Sequence, residues 1–240
     1  MSYSILDLKR WLLCSMAAMC LAAAPGANAQ EVPPIAKTIK AEETALILID
    51  FQGNFVNPDG AWYQKFKPDF DKGMLTKTVE LVNAARAKGV WIIHMTEGYT
   101  SDYRELDWTN PGGFHRGQLL RKAWKIGSKE AAYYEPLRPK PEHKDLMPAP
   151  RIQLSAFGGT GLNEILRSKG IKNVAIAGFT IDVCNFATTV AAYDLGFHVY
   201  ALREASLGFY PELSQQLMTN IYPMYSVVID NAPFLDMLTK

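Results

Sequence analysis

Two side chains stand where chemistry would need them. Cys184, in the stretch GFTIDVCNFATTVAA, lies five residues beyond Phe179, which closes the apolar run VAIAGF, and an Ala-rich stretch of helical period starts from it. A thiol at a helix N-terminus meets the positive end of the helix dipole and unpaired backbone N–H groups, which favour the thiolate and can also hold an oxyanion. Asp50 closes a second apolar run, ALILID. A carboxylate there either manages the proton of a nucleophile or caps the turn that follows. The plain alternative for a lone cysteine is an inert place in a core helix. If the fold brings the two run ends together, the chemistry on offer is covalent catalysis by the thiol. Neither side chain is expected to carry much of the core.

The elements that must position them follow a regular rhythm. Residues 44–51, 90–96, 174–179, 197–202 and 225–230 are continuous, β-rich apolar runs, the pattern of parallel strands buried on both faces. Between them, 72–88 carries Leu75, Val79 and Val82 on one helical face and stops at Gly89, and 159–170 and 184–195 behave similarly. A short strand is expected at 152–155, and a helix near 115–127. Strand, helix, strand repeated in this way predicts right-handed crossovers and a helix-covered parallel sheet within one domain, 44–240. Ligands of such sheets bind beyond the carboxyl ends of the strands, where Asp50 and Cys184 both fall. The stretch 98–150 breaks the rhythm. Long, irregular and rich in Tyr, Trp, Pro and charge, it is expected to be a lid or an oligomer contact, with a solvated excursion as the alternative.

Compartment limits what a lone cysteine means. Lys9 and Arg10 precede the apolar run from Trp11 to Ala24, and Ala27, Asn28 and Ala29 form an A-x-A cleavage site, so 1–29 reads as a secretory signal peptide. The run is shorter than the roughly 20 residues that a membrane span requires. The expected product is periplasmic or secreted, with no membrane association after cleavage. Removal of 29 of the 240 residues takes Cys14 and Cys20 with it and leaves Cys184 without an internal disulfide partner. The next stretch, 30–43, is Pro-rich and charged and is expected to be an exposed leader. With 25 Lys and Arg against 24 Asp and Glu, scattered along the chain, nucleic acid is not an implied partner.

Three motifs then act together. Asp50 within ALILIDFQGNF, Ser155, Phe157, Thr160 and Leu162 within LSAFGGTGL, and Cys184 within GFTIDVCNFATTVAA occur in the order and spacing of the isochorismatase-like cysteine hydrolases, which the chain resembles from about Thr44 to Leu235. The resemblance implies a Rossmann-like three-layer α/β sandwich, a parallel sheet of about six strands with helices on both faces. It implies hydrolysis of a small amide, ureide or related carboxamide by an Asp, Lys and Cys triad. In that triad Cys184 attacks the carbonyl to give an acyl intermediate and Asp50 manages the thiol proton. Retention of the cysteine points to the amidase branch rather than to vinyl-ether hydrolysis. The family lysine falls six residues before Phe157, at Arg151. Arginine supplies the charge but never gives up its proton. The peptide bond from Phe179 to Thr180 is implied to be cis, aiming backbone N–H groups there and at Cys184 towards the substrate carbonyl oxygen.

Relatives that bind zinc or iron do so through an Asp and two His after the second strand, where HMTEGY here offers only His94. The four histidines, 94, 115, 143 and 198, show no ligand spacing, so neither metal nor cofactor is expected. His94 itself is expected to be a strand-end residue with satisfied hydrogen bonds or a substrate contact. Phe55, Trp62 and Tyr99, with residues of 98–150, are expected to line a pocket suited to a flat or aromatic acid amide. Family habit implies a homodimer or homotetramer. Two other classes stay open: a catalytically silent binding or scaffold protein on the same fold, raised by Arg151, and a flavodoxin-like redox or nucleotide-binding protein, weakened by the lack of a Gly-rich phosphate loop after the first strand.

Overall fold

The computed structural model describes residues 35–240; the stretch 1–29 read as a signal peptide, and the first residues of the leader, lie outside them. The leader does not stay wholly exposed. Ile39–Lys40 (β1) pairs in parallel with Leu238–Thr239 (β8), and Ile39 and Ala41 are buried, because alternate apolar side chains there find the core.

Thr44–Ile49 (β2), Trp91–Met95 (β3), Asp145–Leu146 (β4), Asn173–Phe179 (β5), His198–Leu207 (β6) and Val227–Ile229 (β7) form one sheet in the order β4-β3-β2-β5-β6-β7. All five pairings are parallel. The sixth strand is thus Asp145–Leu146, not 152–155. There the chain turns instead, since Phe157 N–H donates to Ser155 Oγ at 3.2 Å and Gly158 N–H to the Ser155 carbonyl at 3.1 Å, a local bonding that competes with a ladder.

The helices are Gly53–Val56 (α1), Tyr63–Asp71 (α2), Met74–Lys88 (α3), Gly113–Arg121 (α4), Leu162–Ser168 (α5), Cys184–Asp194 (α6), Pro211–Gln216 (α7) and Asn231–Met237 (α8). Side chains alternate across a strand, so β2 feeds two cores. Leu46 and Leu48 join Leu81, Val82 and Ala85 of α3 and Phe234 of α8 on one face. Ala45, Ile47 and Ile49 join Leu162 and Leu166 of α5 and Ala192 of α6 on the other. Each such Leu or Ile contributes roughly 1.5–3 kcal/mol on burial. The result is the three-layer α/β sandwich, with a six-stranded parallel sheet between its helices. The carboxyl ends of β2, β3 and β5 converge on one edge.

Candidate active site

At that edge β2 gives way to Asp50, which takes a left-handed φ of 58°. Asp is among the few residues that tolerate this conformation, and its N–H donates to the Met95 carbonyl at 3.0 Å, fixing the turn against β3. Arg151 arrives by a bridge beside the end of β3: its N–H donates to the Thr96 carbonyl at 2.9 Å, and its own carbonyl accepts from Gly98 N–H at 3.2 Å. From there the guanidinium donates to Asp50 through both nitrogens, Nη1 to Oδ1 at 2.7 Å and Nη2 to Oδ2 at 2.8 Å. Both residues are buried. Such a two-point fork fixes orientation as well as charge.

The third residue comes from β5. Gly178 has φ 125°, and a Cβ there would lie 2.0 Å from the Ile49 carbonyl oxygen, so only glycine lets β5 pass this close to β2. The bond from Phe179 to Thr180 is cis. Cys184 then opens α6, buried, with its Sγ and one oxygen each of Asp50 and Glu97 all within 4.8 Å of one another.

The resting thiol differs from the sequence expectation. Burial pushes the Cys184 thiol well above the ordinary cysteine range, the Asp50 charge pushes it further, and Arg151 opposes both. A helix-end dipole is worth about 0.3–1 kcal/mol, whereas full burial moves a pKa by up to several units, so burial wins. The neutral thiol is thereby favoured over the thiolate, with the Asp50 and Glu97 carboxyl groups both beside it.

Sequence reading missed Glu97. It lies just past the carboxyl end of β3, in a stretch where only histidine spacing pointed to chemistry. Gln52 clamps its backbone from both sides, accepting from Glu97 N–H at 2.8 Å and donating to its carbonyl at 2.9 Å. The Tyr99 hydroxyl donates to its carboxylate. Burial first, then the Asp50 charge, raise the Glu97 carboxyl to about 8, against the pull of Arg151, Tyr99 and Arg121. A raised folded-state value means that the folded protein holds a proton which the unfolded chain releases above about pH 4.5. Stability should accordingly fall as pH rises from about 4.5 to about 8. Glu97→Gln should flatten that slope and melt higher than wild type at pH 8, a gain on the order of a few kcal/mol. Thermal melts of both proteins across that range check it, and parallel slopes would show that Glu97 is ionised at rest.

Asp50, Glu97, Thr180 and Cys184 form the floor of a cavity of about 480 Å³. Phe55, Trp62 and Phe209 supply an aromatic wall, and Phe114, Gln118 and Arg121 of α4 supply another. The stretch 98–150 thus walls the cavity through α4. Two expected site residues lie elsewhere. Tyr99 is fully buried behind the cavity, packed on Tyr103 and directed at Glu97, so it supports the floor rather than touching a ligand. The Phe179 ring is fully buried as well, stacked 4.7 Å from Phe55, so that only its peptide bond with Thr180 bears on the site. His94 does not reach the cavity. Its ring bonds Tyr133 Oη at 2.8 Å and Asp145 Oδ2 at 3.3 Å, and Asp145 in turn pairs with Arg86, a buried polar network that ties β3 to β4 and α3.

Asp50, Glu97 and Cys184 are close enough for three metal ligands. The place beside Asp50 is, however, already held by a guanidinium using both carboxylate oxygens. Dialysis against a chelator should leave activity unchanged; loss on chelation with recovery on added zinc would reverse this expectation.

A doubly covered parallel sheet with a carboxylate, a fixed cation and a thiol gathered on its carboxyl edge is the arrangement of an isochorismatase-like α/β hydrolase. The chain belongs to the isochorismatase family, whose Isochorismatase domain model matches residues 44–233. It is 28% identical over 195 residues to the ureidoacrylate amidohydrolase of Agrobacterium fabrum, covering 75% of this chain and 82% of that one. The ureidoacrylate amidohydrolase of Rhizobium rhizogenes is also 28% identical over 195 residues, with 75% and 76% covered. Among solved structures, a cysteine hydrolase from Pseudomonas syringae pv. phaseolicola superposes with a TM-score of 0.73 at 21% identity, over 86% of this chain and 97% of that one. N-carbamoylsarcosine amidase from Thermoplasma acidophilum gives 0.63 at 18% identity, over 79% and 96%.

Proposed function

We propose that the chain is an exported cysteine amidohydrolase that cleaves the C–N bond of a small amide or ureide through an acyl intermediate on Cys184. The observation that carries this reading is the juxtaposition of the Cys184 thiol with the Asp50 carboxylate, itself locked by Arg151, on the floor of an aromatic-walled cavity. The amidohydrolase names of the two curated relatives support the bond class, and the signal-like segment from Lys9 to Ala29 supports export.

In this reading Asp50 takes the Sγ proton as sulfur attacks the carbonyl carbon. Negative charge moves to the carbonyl oxygen. In this reading the N–H groups of Thr180 and Cys184 take up that charge; those of Ile181, Val183 and Asn185 are already bonded to backbone carbonyls. The C–N bond then breaks as the leaving nitrogen takes a proton. Arg151 cannot supply one at any working pH. Asp50 returns the proton that it took, and Glu97, which carries one below about pH 8, is the second donor at hand. Water next adds to the thioester, releasing the acid and restoring the thiol. Arg151 keeps its charge throughout and holds Asp50 in line.

The test is ammonia release from a panel of small amides, ureides and carbamoyl compounds. Release from at least one member, with a Cys184-bound acyl adduct trapped by acid quench and seen by mass, is the expected result. A folded protein that releases ammonia from none of them and forms no adduct is the silent binding protein that the Arg151 replacement also allows.

A further inference from the structure

Charge in the cavity is uneven from floor to mouth. On the floor Asp50 is matched by Arg151. At the mouth, Lys65 of α2 and Arg121 at the end of α4 line the opening and are exposed. Neither pairs with a carboxylate among the described residues. Asp50 and Glu97 are the acidic residues of the lining, and the latter is uncharged at neutral pH. Two positive charges are therefore left without an ion-pair partner among the described residues, although Arg121 is near enough to Glu97 to oppose the rise of its carboxyl.

They are also held. The Arg121 guanidinium lies 4.9 Å from the Trp62 ring centroid and donates to Gln118 Oε1 at 3.1 Å, which leaves its other N–H groups free to make a fork. The Lys65 ammonium stands 5.7 Å from the Tyr210 ring. On the floor, the buried Thr180 hydroxyl has no hydrogen-bond partner, which asks for a polar group from a ligand. A ligand that answers all of this has a polar, cleavable end at Cys184, a flat or apolar middle and an anion at the mouth.

We infer that the site takes amides or ureides that carry a free carboxylate, with the scissile C–N bond at Cys184 and the carboxylate held at the mouth by Arg121 and Lys65. This rests on the reading of the cavity as the substrate site of a cysteine hydrolase, and it adds the charge of the substrate.

Alkylation of Cys184 tests it with probes that need not be substrates. The probes are N-iodoacetylglycine, its β-alanine and 4-aminobutyrate homologues, and the neutral carboxamide of each. The reacting carbon is the same within each pair, and only the distal charge differs. For at least one spacing the carboxylate probe should modify Cys184 about tenfold faster than its carboxamide, with saturation and with loss of the preference at high salt. Arg121→Gln and Lys65→Gln should each remove most of that preference, read as the ratio of carboxylate to carboxamide rate within the same variant, and Arg121→Lys should restore part of it. Lys169→Gln, at the opposite end of the strands, controls for net charge and should change nothing. Equal rates within every pair, in a protein that releases ammonia from neutral amides, would overturn the carboxylate inference alone. A Cys184 that neither kind of probe reaches would overturn the cavity reading and the inference with it.

Discussion

Cys184→Ala should lower turnover between about 10⁴- and 10⁶-fold, the scale on which removal of a covalent nucleophile is felt, while the protein stays folded. The substitution removes one sulfur atom from a site whose surroundings are built by other residues. The cost to stability should be about 1–2 kcal/mol, since the atom lost is small and the thiol is neutral. Initial rates of ammonia release and a thermal melt measure the two quantities separately. Turnover at the wild-type rate in this variant would end the covalent mechanism.

Asp50→Asn belongs beside it, and here the structure changes the expectation. As a base, Asp50 should be equally indispensable. As a structural residue it is not neutral, because Arg151 is buried and both of its terminal nitrogens rest on that carboxylate. Loss of one member of a buried ion pair costs about 3–5 kcal/mol. Asp50→Asn should therefore melt well below Cys184→Ala although both should lose turnover, and that contrast separates the residue that holds a buried ion pair from the one that does not. The view that neither residue carries much of the fold holds better for the cysteine than for the aspartate.

How far a sequence speaks depends on whether a property is local. TALILI and NVAIAGF read as buried parallel strands because apolar continuity is itself the cause of their burial on both faces. Asp50 and Cys184 could be found because they follow from where those runs end. β4 could not, since two residues, Asp145 and Leu146, carry no period at all, and their place in the sheet is set by pairing with Ile92 and Ile93. α2 escaped as well: it is charged, contains Pro68 and buries only Phe66 fully. Glu97 and the neutral thiol were hidden for a different reason. Both follow from burial and charge created by segments far apart in the chain, with Gln52 and Tyr99 around Glu97, and Asp50 beside Cys184. The helix-end effect is the smaller of the two, so burial decides.

Arg151 is where the two kinds of argument meet, because sequence marks it as a departure and the structure gives it a task. Arg151→Ala should leave the Asp50 carboxylate buried without its partner, destabilising the fold by about 3–5 kcal/mol. Where the variant remains folded, turnover should fall roughly 30- to 1000-fold, the loss expected on deleting one preorganised charged donor. The Cys184 thiol should titrate still higher, because Arg151 opposes the burial and carboxylate effects that raise it. The pH dependence of Cys184 alkylation reads that shift directly. Arg151→Lys keeps the charge but gives up the fork, so it should recover most of the stability and a substantial share of the rate. That ordering, wild type above lysine above alanine in rate and the reverse in thiol pKa, is what a fixed cation acting through Asp50 requires. A lysine variant faster than wild type would instead mean that a cation able to release its proton serves the reaction better than one that cannot. If alanine leaves both rate and thiol pKa unchanged, the guanidinium is only a prop beneath Asp50, and either another cation completes the site or Cys184 and Asp50 act without one.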